Sequence, residues 1–175
     1  MALGLTVYAQ RYLANASQVR AQVECPVLVW ALKPLSTHED ELFFRTRSNA
    51  WDEPSESVGL PMVHDLRKAI DRPNPFADGV TVGRTPNNDI VLPHPSVSRF
   101  HAYFQLDAKT GNWSLVDAES KNGTLLNGVR LTATQPAPLG SEAKLRMGEV
   151  QAMFLTPKMF LRYLDQLTTG THGAQ

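Results

Sequence analysis

The feature that most constrains the fold is a close alternation of short β-type runs and turn signals after residue 76. The runs are rich in β-branched and aromatic residues, and turn-forming stretches such as TPNN, AKTGN and AESKNG separate them. They occupy residues 79–84, 88–92, 101–107, 113–117, 123–128, 129–131, 143–148 and 150–155. Many short strands at such spacing predict an antiparallel sandwich or barrel.

Two turns within this region are predicted with a specific mechanism. Asn127-Gly128 stands between the runs TLL and VRL, and this dipeptide is a strong signal for a two-residue β-hairpin. Gly148 precedes the run VQAMFL and indicates another turn. Both turns favour antiparallel pairing of strands that are neighbours in sequence.

Helical periodicity appears at both ends of the chain. Apolar residues spaced three or four apart predict one amphipathic helix over about 4–24, which either packs on the rest of the protein or binds a partner. These residues are Leu5, Tyr8, Tyr12, Ala16, Val19 and Val23. Thr156 as N-cap and Pro157 as first helical residue predict a C-terminal helix over 157–168, followed by a disordered tail at 169–175.

The segment between the first helix and the β-rich region is less regular. Strands are predicted at about 26–32 and 41–47, and a long loop over residues 48–61. Residues 62–70, with the sequence MVHDLRKAI, predict one or two helical turns. We therefore expect an N-terminal extension over 1–75, packed on the β-region or contributing strands to it.

Charge and cysteine content exclude several classes of protein. The 175 residues carry 17 basic and 17 acidic side chains, which argues against a general nucleic-acid or anionic-membrane binder. No apolar run approaches the ~18 residues of a membrane span, and the first residues make a poor signal peptide. The single cysteine, Cys25, allows no internal disulfide and fits a reducing compartment. We expect a cytoplasmic protein.

No catalytic or cofactor motif is found. The patterns GxxxxGK[ST], HExxH, GxSxG and CxxC do not occur, and the five histidines are scattered. We therefore expect no catalytic residue, no metal site and no cofactor, and we expect that the protein is not an enzyme.

Three loops instead carry the chemistry of anion recognition. Gly83-Arg84 ends one strand, Ser98-Arg99 begins another, and residues 121–123 follow a third. Loops cluster at the two ends of a sandwich, so these segments are expected to converge. Arginine grips a phosphate through two parallel hydrogen bonds, and a serine hydroxyl with backbone N–H groups completes such a site. Asparagine has the donors and the acceptor needed to hold an extended peptide backbone.

The order of these motifs resembles the forkhead-associated (FHA) domain family. The stretch VGRTPNNDIVLPHPSVSRFHAYF is followed by WSLVDAESKNGTLLNGVRL. Together they contain Gly-Arg, Asn-Asp-Ile, Ser-Arg-x-His, Ser-x-Asn-Gly-Thr and Asn-Gly, in order and at the spacing of that family. The resemblance covers about residues 76–156. It implies an all-β, antiparallel two-sheet sandwich of the FHA/SMAD type, here with an added helix at each end.

The resemblance also implies a function without catalysis, the binding of phosphothreonine peptides downstream of a Ser/Thr protein kinase. Arg84 and Ser98 would contact the phosphate, and Arg99 would add a phosphate or peptide contact. Asn122 would hold the peptide main chain. Lys121 departs from the family pattern, which often has Ser or Thr there, so a lysine charge would replace a hydroxyl contact.

The same resemblance assigns supporting roles in the site. His101 would bridge the recognition loops, and Gly83, Gly123 and Asn127 would shape the turns. Two alternatives remain open from the sequence. One is a scaffold protein that keeps the FHA fold but binds partners without phosphate, through its N-terminal helix. The other is a phosphatase or nucleotide hydrolase that uses the same anion pocket.

Overall fold

The computed structural model of the chain describes residues 3–31, 61–69, 74–77 and 79–169. The helices are α1 (Leu5–Ala14), α2 (Ala16–Gln22) and α3 (Pro157–Thr169). The strands, in chain order, are β1 (Leu3–Gly4), β2 (Val27–Ala31), β3 (Met62–Asp65), β4 (Val80–Gly83), β5 (Ile90–Val91), β6 (Ala102–Leu106), β7 (Trp113–Asp117), β8 (Thr124–Leu126), β9 (Val129–Arg130), β10 (Ala137–Pro138), β11 (Glu142–Met147) and β12 (Val150–Leu155). The strand predicted at 41–47, most of the 48–61 loop and the tail from residue 170 lie outside the described residues.

The strands form two sheets. One has seven strands in the order β1-β3-β2-β12-β11-β8-β9, and the other has five in the order β10-β7-β6-β4-β5. All pairs are antiparallel except β4 with β5. The predicted two-sheet sandwich with an N-terminal and a C-terminal helical region is therefore confirmed.

The main hydrophobic core lies between the sheets and follows the alternation of each strand. Phe104 of β6 and Phe154 of β12 are fully buried, and their rings stack across the core at 6.1 Å between centroids. Val80 and Val82 of β4 point into the same core. Burial of each such side chain contributes about 1.5–3 kcal/mol to stability.

The helices cover the outer face of the seven-stranded sheet and create a second core. Tyr12 and Val19 from the N-terminal helices, Phe160 and Leu164 from α3, and Val29 of β2 belong to it. Strand β2 is thus buried on both faces, which explains why its sequence, VLVWA, is apolar throughout.

The N-terminal helical region is two helices rather than the single helix predicted over 4–24. Asn15 leaves the helical conformation, with φ −156° and ψ 83°, and its side chain accepts a hydrogen bond from the N–H of Gln18 at 3.1 Å. Asparagine is a favoured N-cap because its side-chain oxygen satisfies a free N–H of the first turn. The chain therefore starts a new helix at Ala16.

The prediction of helical turns at 62–70 is wrong, because Met62–Asp65 forms strand β3. This strand pairs with β2, where Val63 lies opposite Val29, and with β1. A short run of mixed apolar and polar residues fits a helix or a strand equally well by periodicity. Pairing with β2, more than thirty residues earlier in the chain, makes this segment a strand.

Three local predictions are confirmed. Asn127 and Gly128 have φ values of 50° and 84° and connect β8 to β9, as a two-residue hairpin of type I′ requires. The Asn127 side chain also accepts a hydrogen bond from the N–H of Lys144 at 2.8 Å. Helix α3 begins at the predicted Pro157, and Gly148 connects β11 to β12.

A buried carboxylate fastens the segment 61–69 to the sandwich. Asp89 accepts hydrogen bonds from the N–H groups of Ala69 and Thr81, both at 2.8 Å, and pairs with the Lys68 ammonium at 2.9 Å. Burial alone raises the pKa of Asp89, but these bonds outweigh it and lower the pKa to about 2.

Within the described residues, no helix has the length and apolar content needed to cross a bilayer.

Candidate functional site

The three anion-type loops meet at one end of the sandwich and line an open pocket of about 880 Å³. Its walls come from within residues 84–87, 95–100 and 118–122, which follow β4, precede β6 and follow β7. All five predicted ligand contacts line the pocket, namely Arg84, Ser98, Arg99, Lys121 and Asn122. The structure therefore brings together residues that are up to 38 positions apart in the chain.

Three of these side chains carry positive charge that no described residue pairs with. Arg84, Arg99 and Lys121 are exposed, and in the described part of the chain their side chains form no hydrogen bond and no ion pair. One carboxylate, Glu119, lies in the same lining. The balance favours an anionic ligand, because charges that are not neutralised internally remain free to pair with it.

Ser98 is held next to Arg84 by the backbone. Its carbonyl accepts a hydrogen bond from the N–H of Arg84 at 3.0 Å, so the two residues lie on adjacent segments. The Ser98 hydroxyl oxygen accepts a hydrogen bond from the N–H of Lys121, also at 3.0 Å. Since the oxygen acts as acceptor there, its proton is free to be donated to a ligand.

His101 connects the loops beneath the pocket. It is fully buried, and its Nδ1 accepts a hydrogen bond from the Ser98 N–H at 3.0 Å. The other nitrogen, Nε2, therefore carries the proton and donates it to the carbonyl of Gly123 at 3.3 Å. Burial lowers the pKa of His101, while the nearby Asp117 charge and the Gly123 carbonyl oppose that effect. A neutral imidazole thus links the second loop to the third.

Asp117 stabilises the third loop from below. It is buried and accepts hydrogen bonds from the hydroxyls of Ser120 and Thr124, both at 2.6 Å, and from the Ser120 N–H at 2.9 Å. Burial raises the pKa of Asp117, but these hydrogen bonds outweigh it and the net shift is downward. The turn that carries Lys121 and Asn122 is therefore held at both ends.

Asn122 is fixed at the rim of the pocket. Its amide nitrogen donates a hydrogen bond to the carbonyl of Ser96 at 2.7 Å, which leaves the side-chain oxygen and one N–H available. The Ser96 hydroxyl in turn accepts from the N–H of Glu149 at 2.8 Å and bonds the Nδ1 of His94 at 2.7 Å. The turn at 148–149, which the sequence placed only as a turn, is therefore part of the site's support.

Two of the residues predicted to shape the turns of the site, Gly83 and Gly123, contact the loops of the pocket, and the third, Asn127, lies outside its lining. Gly83 is packed so tightly that a Cβ would lie 2.2 Å from the carbonyl oxygen of Arg99, so a side chain there would separate the first loop from the second. Gly123 provides the carbonyl that His101 contacts. Asn127 does not line the pocket, and it shapes the β8–β9 hairpin instead.

Three pocket features were not predicted as parts of the site. Thr85 and Asn88 hold the second loop, because the Thr85 hydroxyl and the Asn88 amide both donate to the Arg99 carbonyl, at 2.8 and 2.7 Å. Phe100 contributes an aromatic wall. The turn signal TPNN, at residues 85–88, indicated a turn at Thr85 and Asn88 but not their contact with Arg99.

In the described residues, no group of three or more His, Cys, Asp or Glu side chains is placed to hold a metal ion.

Comparisons with known proteins find similarity in the segment that carries these loops. A family model described as the FHA domain matches residues 80–148. The Glycogen accumulation regulator GarA of Mycolicibacterium smegmatis is 34% identical over 90 residues, which are 51% of this chain and 51% of that protein. The matched region thus spans about half the length of this curated relative.

Two solved structures illustrate the structural neighbours. Mycobacterium tuberculosis EmbR in complex with a low-affinity phosphopeptide is 29% identical, with 46% of this chain and 20% of that chain covered and a TM-score of 0.41. The FHA domain of the CT664 protein from Chlamydia trachomatis is 17% identical, with 74% and 96% covered and a TM-score of 0.48. The family match covers the segment that carries the motif-bearing loops, and residues 80–148 of this chain are similar to the forkhead-associated domain.

Proposed function

We propose that the protein is an interaction module that binds partner proteins phosphorylated on threonine, as part of Ser/Thr kinase signalling. The observation that carries this proposal is the presence of Arg84, Ser98 and Lys121 in the lining of one pocket, with charges and a hydroxyl proton that no described residue uses. The charges and donors in this lining suit the binding of an anion.

A phosphothreonine side chain matches this wall in charge. It carries about −1.5 to −2 charges at neutral pH and three acceptor oxygens. The Arg84 guanidinium binds two of these oxygens in parallel, and the Ser98 hydroxyl donates to the third. Each charge-assisted hydrogen bond contributes about 1.5–3 kcal/mol, and Lys121 and Arg99 add longer-range attraction. The result is a moderate, reversible affinity that depends on the phosphate.

The peptide main chain is held by Asn122. Its free side-chain oxygen and N–H match the donor and acceptor of one extended peptide unit. Because its other N–H is bonded to Ser96, the amide is oriented before the ligand arrives. Pre-orientation lowers the entropic cost of binding.

Titration calorimetry with phosphothreonine peptides from an oriented library tests the proposal. Arg84→Ala is expected to weaken binding at least about tenfold, because a charge-assisted contact is worth 1.5 kcal/mol or more. Arg146→Ala is the matched control, since Arg146 is an exposed arginine of β11 that does not line the pocket. Equal affinity for the phosphorylated and unphosphorylated forms of a peptide would contradict the proposal.

The alternative of a phosphate-independent scaffold gains no support from the N-terminal helices. Their apolar stripe is used internally, since Leu5, Tyr12 and Val19 are buried against the sheet and α3. A pull-down from cell extract, with and without phosphatase treatment, separates the two functions. A phosphate-independent scaffold would capture the same partners after phosphatase treatment.

A further inference from the structure

The pocket has an apolar wall beside its cationic wall. The Phe100 side chain, which is 39% exposed, lines the pocket directly after Arg99. Its ring centroid lies 5.4 Å from that of Phe76 and 6.2 Å from that of Tyr103, and the Phe76 and Tyr103 rings are 4.6 Å apart. These three rings are called the aromatic shelf below.

Hydrogen bonds fix the backbone that carries two rings of the aromatic shelf. The backbone before Phe100 is fixed by the two hydrogen bonds to the Arg99 carbonyl, and the backbone after it by the bond from the His101 N–H to Val82 at 2.9 Å. The backbone of Phe76 is fixed by a hydrogen bond from the Lys68 ammonium to the Phe76 carbonyl at 2.8 Å. A preformed aromatic surface binds an apolar group at a low cost in conformational entropy.

Phe100 differs from the other exposed apolar side chains in the described ranges. Val7, Leu13, Leu106 and Val129 are also exposed, but none of them lines the pocket. Single exposed apolar side chains are ordinary in soluble proteins. An aromatic cluster that continues directly into a polar binding site is typical of the anchor positions of an interface.

We propose that the aromatic shelf binds an apolar side chain of the same phosphothreonine ligand, within three residues of the phosphothreonine. This rests on the proposed function and adds a sequence preference to it. Phe100 follows Ser98 by two residues, so their Cα atoms are at most about 7 Å apart. An extended peptide covers that distance in about two residues. A ligand anchored on Ser98 therefore reaches the ring with a nearby side chain.

A peptide series tests this inference. Phosphothreonine peptides carry either Leu or Ser at one position at a time, from three residues before to three residues after the phosphothreonine. The protein is expected to prefer Leu about three- to tenfold at one position, the range of a single aromatic contact. Phe100→Ala should remove this preference, so that the variant binds the Leu and Ser peptides with equal affinity. Phe76→Ala should reduce it, although Phe76 does not line the pocket.

The controls separate the possible failures. Leu106→Ala removes a similarly exposed apolar side chain outside the pocket and should leave the preference intact. The aromatic shelf is refuted as a ligand contact if no position prefers Leu, or if Phe100→Ala keeps the preference or only lowers the melting temperature. If Arg84→Ala leaves phosphopeptide affinity unchanged, the phosphate-binding proposal itself fails, whatever Phe100→Ala does.

Discussion

His101 links two of the loops that line the pocket. Its imidazole accepts from Ser98 and donates to Gly123, so both ring nitrogens are engaged and the tautomer is defined. Protonation of Nδ1 would place a hydrogen against the Ser98 N–H and break this hydrogen bond. The site is therefore built around a neutral histidine.

This neutral state predicts a specific pH dependence. Burial lowers the pKa of His101 below the 6.5 of an unperturbed histidine. The unfolded chain then takes up the proton first as the pH falls, so the contribution of His101 to stability is complete above about pH 6.5 and decreases below it. NMR titration of the His101 ring is expected to give an apparent pKa below 6.5. A value at or above 6.5 would contradict the assigned hydrogen bonds.

At the scale of elements, the β11–β12 turn supports the pocket from the opposite sheet. Gly148 donates its N–H to the carbonyl of Gly123 at 3.2 Å, and the next N–H, of Glu149, donates to Ser96. A Cβ on Gly148 would lie 2.5 Å from the Ser96 carbonyl oxygen, which is the acceptor for Asn122. A side chain at position 148 is therefore expected to displace Ser96 and, through it, the Asn122 side chain that we propose as a ligand contact.

Substitution of two glycines separates this effect from backbone strain. Gly148 and Gly111 both have positive φ values, 62° and 72°, but a Cβ on Gly111 meets nothing within 4 Å. Gly111→Ala is expected to cost about 1 kcal/mol of stability and to leave phosphopeptide affinity unchanged. Gly148→Ala is expected to cost more and to weaken phosphopeptide binding. Thermal unfolding and calorimetry measure the two effects, and equal behaviour of both variants would exclude the coupling.

The elements differ in how far the sequence predicts them. The β8–β9 hairpin was predicted because Asn127-Gly128 encodes its turn locally. The split between α1 and α2 was not, because the three-and-four spacing of apolar residues continues through Asn15 while its side chain caps the next helix. Strand β3 was missed because its identity depends on pairing with β2, which no short stretch of sequence encodes.

The site shows the same division. Motif order and spacing predicted the loops that line the pocket, since each loop contributes a short polar signature. The aromatic shelf escaped prediction because Phe76 and Phe100 are 24 positions apart and neither belongs to a periodic pattern. The role of Gly148 escaped it because the turn was recognisable but its contact with Ser96 crosses between loops of different sheets.

At the scale of the whole molecule, the helical layer is fastened by polar contacts as well as by its core. The Asp165 carboxylate of α3 accepts a hydrogen bond from the Tyr12 hydroxyl at 2.5 Å and two from the Arg20 guanidinium at 2.8 and 2.9 Å. The hydrogen bond from Tyr12 and the charge of Arg20 lower the pKa of Asp165, despite its partial burial. One carboxylate thus connects α1, α2 and α3.

Removal of this charge should loosen the helical layer and spare the pocket. Asp165→Asn is expected to cost only about 1 kcal/mol, because the pair with Arg20 is roughly half exposed and screened by solvent. Hydrogen exchange should accelerate over residues 5–22, while phosphopeptide affinity stays constant. Lys158→Ala, at an exposed position of the same helix, serves as the control. Faster exchange spread evenly over both sheets would rule out a local role.

The sheet order shows that the matched segment, residues 80–148, does not contain all strands of the sandwich. Segment 80–148 holds all five strands of one sheet but only β11, β8 and β9 of the other. The neighbouring strands β12, β2, β3 and β1 come from outside those limits. A fragment cut to the matched boundaries would leave Phe104 without the ring it stacks on and would expose the core side chains that β2 and β12 cover. The flanking sequence is thus an integral part of the folding unit, and the loops that line the pocket rest on strands from both sides of those limits.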